Sequence, residues 1–172
     1  MIRSMRACRK PIIAAVEGGA AGAGVALALA CNMVVAARDA YLSVAYVRIG
    51  LTPDGGTTGL LGQVIPRQLL AEMVMTGDRI GVERFYAMGV INRIVEPGDA
   101  LSEAEALAGR LADGPANAIS NGKRLVGLAP ENTLDKQLDL EAELIAEALG
   151  GAEGKEGIAA FLEKRKARFS DL

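Results

Sequence analysis

The chain has 172 residues, 51% hydrophobic but only 3% aromatic, with 19 basic residues against 21 acidic and no histidine. A net charge of −2 leaves no electrostatic footprint for nucleic acid, and so few rings leave no stacking platform for single strands. Without histidine there is no Ser/His or Cys/His nucleophile pair, so acid–base chemistry falls to carboxylates, Lys, Tyr or Cys.

A domain of this length buries most of the surface of its unfolded chain. Its core must be built from Ala, Val, Leu and Ile, which lets backbones approach closely. Cys8 and Cys31 stand apart from each other and from any carboxylate cluster, so no metal site and no disulfide framework is expected. A reducing, cytoplasmic setting follows. The basic opening "MIRSMRACRK" and the uncharged run Gly18 to Ala37, with a GxxxG spacing at Gly18 and Gly22, raise a signal peptide or membrane span. Ala and Gly bring little insertion energy, Asn32 interrupts the run, and Glu17 stops the first apolar stretch early. No membrane association is expected, and a small membrane protein remains the third reading.

In chain order, "PIIAAV" (Pro11 to Val16) reads as a buried strand, followed by a Gly/Ala turn and a helix from Gly22 to Cys31. "MVVAA" and "AYLSVAY" read as two further strands, which gives strand, helix, strand at βαβ spacing. After the loop "GLTPDGGTTGLLGQVI" come helices at Arg67 to Met75 and Val82 to Met88, then a strand in "VINRIVE". Phe85 and Tyr86 are expected in the core of the second helix. From Asp99 every segment reads as helix, with breaks at Gly114-Pro115 and Gly150-Gly151. The expected fold is α/β, with a core over residues 1–98 and an all-helical region over 99–172.

Two segments could carry chemistry. A buried strand running into a Gly-rich helix start leaves N–H groups at about Gly22, Ala23 and Gly24 without intrahelical partners, a place for an anion or a polarised oxygen. Close packing of helix on sheet explains the same glycines. The segment has no G-x-G-x-x-G and so no dinucleotide fingerprint. In "GLTPDGGTTGLL", Asp54 ahead of a short helix is either its N-cap or a carboxylate in an apolar, Gly-lined cleft, raised by desolvation toward use as a general base.

Together, "KPIIAAVEGGAAGAGVALALACNMVVAARDAYLSVAYVRIGLTPDGGTTGLL", "MTGDRIGVERFYAMGVINRIV" and "EGIAAFLEKRKARF" resemble, in this order, the crotonase superfamily, the enoyl-CoA hydratases and isomerases. "AAGAGVALALA", "GLTPDGGT" and "NTLDKQLDLE" look closest to its ring-modifying isomerases of phenylacetate degradation. The resemblance implies a ββα spiral core with its N-terminal part absent, and an acyl-CoA thioester as substrate. Coenzyme A would enter only as part of that thioester, with no separate cofactor. It implies that the Ala23 backbone N–H, flanked by Gly22 and Gly24, holds the thioester oxygen as charge builds there, a contact worth about 3–4 kcal/mol.

The positions at which hydratases carry two glutamates read Ala26 and, within a residue, Tyr46. An isomerase with a single acid/base, matching Asp54, is therefore implied over a hydratase-like lyase, and a non-catalytic acyl-CoA-binding remnant stays open as the other alternative. One carboxylate suffices for a 1,3-proton shift through the enolate. Gly55 and Tyr46 would line the acyl site, and Phe161 and Lys164 would approach the nucleotide. By composition alone "EKRKAR" is a solvated helix end. Family members extend further on the N-terminal side of "KPIIAAV", where they carry a second oxyanion-hole donor. The expectation is a partner chain, a tight homo-oligomer (trimer or hexamer), or a longer parent chain.

Overall fold

The computed structural model describes residues 1–170 and 172. They form two compact units, residues 1–7 with 12–107, and residues 8–11 with 108–172.

The first unit is a pair of small sheets wound by a repeating strand, strand, helix path. After helix α1 (Ile2–Ala7), strand β1 (Ile13–Val16) lies in one sheet, β2 (Gly19–Ala21) in the other, and helix α2 (Ala23–Ala30) follows. The next pass repeats this with β3 (Met33–Ala37), β4 (Tyr41–Ser43), a 3-10 turn (Ala45–Ile49), then α3 (Thr57–Gly62) and α4 (Arg67–Thr76). Strand β5 (Ile80–Gly81), helix α5 (Val82–Ala87), strand β6 (Arg93–Val95) and helix α6 (Ala100–Ala112) come next.

The first sheet has the order β1-β3-β6, all parallel, with Ile13 opposite Met33 and Val35 opposite Arg93. The second has the order β2-β4-β5, with Gly19 opposite Tyr41 in parallel and Leu42 opposite Ile80 in antiparallel pairing. This is the ββα winding that the resemblance implies.

Two expectations change: the Gly/Ala turn contains a strand, β2, and "AYLSVAY" is a strand only to Ser43 and then closes into the 3-10 turn. Strand β5 carries no signal in its own sequence. Strands of two or three residues are too short to show a period of two, so only pairing with a neighbour defines them.

The central strand β3 separates two apolar layers by simple alternation. Val34 and Ala36 face a core shared with Val25, Leu61, Met73 and Phe85, whereas Val35 faces Ala100, Ala104 and Leu107 of α6. Helix α2 buries Val25, Ala26, Ala28 and Ala30 and packs on β1, β2 and α3, so it is apolar on most of its circumference. Glu17, the lone charge between the first two strands, accepts from the Gly98 N–H (3.1 Å) and the Ala100 N–H (2.8 Å) and so caps α6. Phe85 is fully buried as expected, but Tyr86, one residue round the helix, is half exposed and outside the core.

The second unit is helical. Helix α7 (Ala116–Leu128) packs on α8 (Leu134–Gly150), and α8 on α9 (Ala152–Leu162). The Glu153 carboxylate accepts from the N–H groups of Asn117 and Ala118 at the start of α7, and Thr133 caps α8. Helix α9 ends in a Schellman turn, with Arg165 N–H donating to the Ala160 carbonyl (3.0 Å) and Lys164 N–H to that of Phe161 (3.2 Å).

Candidate active site

The site is built where α2 begins. Gly22, its N-cap, has φ 53° and ψ −124°, a conformation that only glycine adopts without strain. Its N–H donates to the Ser43 carbonyl of β4 at 2.9 Å, so it is spent on the fold, unlike the free flanking donor expected from the sequence. Among the described residues no acceptor takes the N–H of Ala23 or Gly24, the first two residues of the helix. Ala23 is exposed, so its donor is open to a ligand oxygen.

A side chain at Gly22 would point at the end of the Tyr46 ring, 3.7 Å from Cζ. The half-buried Tyr46 sits in the 3-10 turn rather than on a strand, and its hydroxyl donates to Asp54 Oδ1 at 2.5 Å. Gly22, Tyr46 and Asp54 are thus consecutive contacts, although 32 positions separate the first residue from the last. Burial, and then the Asp54 carboxylate, raise the Tyr46 pKa above that of an ordinary phenol, while the Thr57 hydroxyl and the Asp54 N–H pull the other way. At neutral pH Tyr46 is a neutral donor.

The alternatives for Asp54 now separate. The N-cap of α3 is Gly56, with no side-chain cap bond, and it is the Asp54 main-chain carbonyl that accepts from the Thr57 N–H (3.0 Å) and Thr57 hydroxyl (2.7 Å). The carboxylate is therefore not a cap. It is exposed, and the desolvation expected around it is not supplied by the described residues. Gly55, with φ 63°, comes close to α2: a methyl placed on it would lie 3.2 Å from that of Ala26, itself 1% exposed.

Phe161 and Lys164 belong to the second unit, Phe161 81% exposed on α9 and Lys164 just past its end. Lys164 has φ 56°, a left-handed backbone at a non-glycine residue. Among the described residues no group of three or more His, Cys, Asp or Glu side chains is placed to hold a metal, and no helix is long and apolar enough to cross a membrane. Sequence reasoning missed Thr57 and Ser43, both buried and both hydrogen-bonded to main chain. For Thr57 the signal was a hydroxyl residue following a turn, whereas Ser43, the last residue of strand β4, offered none.

A family model described as enoyl-CoA hydratase/isomerase matches residues 1–172. The chain belongs to the enoyl-CoA hydratase/isomerase family. It is 37% identical over 170 residues to the 1,2-epoxyphenylacetyl-CoA isomerase of Escherichia coli (strain K12), covering 99% of this chain and 65% of that protein. A probable enoyl-CoA hydratase of Rhodobacter capsulatus is 38% identical, with 99% and 66% covered. The crystal structure of an enoyl-CoA hydratase from Polaromonas sp. JS666 superposes with a TM-score of 0.94 at 46% identity, covering 97% of this chain and 65% of that one. The chain thus spans about 65% of the length of the family members it matches. In this family chain, the turn of α2 and the Tyr46–Asp54 pair lie wholly within the first unit.

Proposed function

We propose that the chain serves an acyl-CoA isomerase, in which one carboxylate moves a proton between two carbons of a thioester substrate. The observation that carries this reading is the state of Asp54. It is an exposed carboxylate not used as a cap, hydrogen-bonded to Tyr46, whose ring end lies against the turn that frees the Ala23 N–H. Asp54 takes a proton from the carbon beside the thioester carbonyl and returns it at another carbon. The Ala23 N–H, at the positive end of α2, stabilises the oxygen while the enolate lasts.

Hydration needs a second acid/base group to deliver water across the double bond. The two positions that would supply glutamates hold Ala26, buried against Gly55, and Tyr46. The substrate class is an acyl-CoA thioester, with no other cofactor, and Phe161 and Lys164 serve its nucleotide end.

Assembly into a trimer or pair of trimers is part of the proposal. It is supported by a stripe along α8, where Leu134, Leu138, Ile145 and Leu149 share one exposed face. Acetoacetyl-CoA binding, and the double-bond shift of a 3-enoyl-CoA followed by absorbance, test the reading. Asp54→Asn is expected to leave binding intact and to lower turnover by about 10²–10⁴-fold, the range for a general base. Turnover that survives the substitution, or a hydrated product, would overturn it.

A further inference from the structure

We propose that Tyr46 is a positioning residue for Asp54: its hydroxyl holds Oδ1, which leaves Oδ2 as the oxygen that takes and returns the proton. This rests on the reading of Asp54 as the acid/base.

Asp54 stands on an exposed loop followed by two glycines of positive φ, Gly55 and Gly56, so the local chain does little to orient it. Two contacts from elsewhere do so. Thr57, 1% exposed, holds the main chain by donating its hydroxyl to the Asp54 carbonyl at 2.7 Å, and Tyr46 holds the side chain at 2.5 Å. Tyr46 is itself well fixed. Its carbonyl accepts from the Leu51 N–H at 3.0 Å, the 3-10 turn ends on left-handed Gly50, and the ring packs on the core of the first unit. The ring end lies beside Gly22, within 3.7 Å of where a Cβ there would stand.

Among the described residues no other charge competes for the hydroxyl. Arg48 on the same turn is paired with Asp78 at 2.8 Å. On α4, which packs on the turn, Glu72 faces Arg84, and neither Glu72 nor Arg67 acts on the phenol. Helices α2 and α3 carry no charged side chain. The phenol proton therefore stays on Tyr46 throughout, and only Oδ2 gains and loses a proton. Without that hydrogen bond the carboxylate is free to turn about its last torsion and its two oxygens exchange places.

Tyr46→Phe keeps the ring against Gly22 and removes only the donor. The carboxyl ¹³C signal of Asp54, assigned by its loss in Asp54→Asn, is compared at neutral pH in the wild-type chain and in Tyr46→Phe. It is expected to move in Tyr46→Phe, because one oxygen loses its donor. In turnover, kcat falls about tenfold and KM stays put. A contact that served only packing would move none of these.

Tyrosinate absorbance gives a second readout, independent of whether Tyr46→Phe folds, because the chain has three tyrosines and no tryptophan. In Asp54→Asn the latest-titrating phenol should ionise earlier than in wild type. An Asp54 carboxyl signal unmoved by Tyr46→Phe, or a tyrosinate titration unmoved by Asp54→Asn, overturns the proposal and leaves the reading of Asp54 untouched. A moved signal with full turnover in Asp54→Asn overturns both.

Discussion

Gly22 at the start of α2 and Lys164 after the end of α9 have nearly the same φ, 53° and 56°, yet one is the residue made for that region and the other is not. At Gly22, ψ of −124° falls where the backbone itself does not accommodate a Cβ, although the Tyr46 ring, 3.7 Å away, would leave space for one. That conformation joins β2 to α2 and leaves the Ala23 N–H without a partner. At Lys164 the backbone is held by the paired hydrogen bonds of a Schellman turn at the surface, where a lysine side chain extends into water. Positive φ is thus a steric requirement at the first place and a tolerated cost at the second.

Substitution separates the two sharply. Gly22→Ala should lower stability by about 1–3 kcal/mol, the cost of a residue forced into a sparsely populated region, with Tm falling by several degrees in a thermal melt. An unchanged Tm would mean that the turn relaxes freely, and the contrast with Lys164 would collapse. Lys164→Gly has the opposite sign. Relief of about 1–2 kcal/mol of left-handed strain, less about 0.5–1 kcal/mol for the freer unfolded chain, leaves a gain of between zero and about 1.5 kcal/mol. A loss of stability would show that lysine at this place makes a contact worth more than its strain.

The smallest effect concerns the ion pair beside that turn. Arg165 donates to both oxygens of Glu156, at 2.6 and 2.9 Å, and the Arg168 N–H adds a third bond. Together, led by Arg165, they hold the Glu156 carboxyl down at about 2. The folded pKa lies below the unfolded one, so the contribution to stability is complete above the ordinary value of 4.5 and is lost as pH falls through about 2. Denaturation of wild type and Glu156→Gln should therefore differ modestly at neutral pH and converge in acid, the modest size reflecting a surface pair. A gap that persists below pH 2 would assign the effect to packing.

Much of the architecture was legible from local pattern. The apolar stretch of α2, the buried strand β3 and the amphipathic helices α6 to α9 carry their periods in their own residues, and Gly or Pro marks their ends. β2, β5 and the 3-10 turn do not, because a strand of two or three residues exists through its partner rather than through its own sequence. The same limit held at the candidate site. "TPDGG" suits a cap and a catalytic carboxylate equally well, and nothing within five residues of Asp54 decides between them.

By itself, the sequence determined the chemistry on offer. No histidine, one carboxylate in a glycine-rich loop and one helix opened by small residues follow from composition and order alone. Tertiary structure alone decided how those groups are used. The Gly22 N–H goes to β4, the Glu17 carboxylate caps a helix more than eighty residues away, and the Asp54 side chain turns from its own helix to the Tyr46 hydroxyl. Each of these choices is a hydrogen bond between segments that only folding brings together, and a local pattern holds no information about a partner it does not contain.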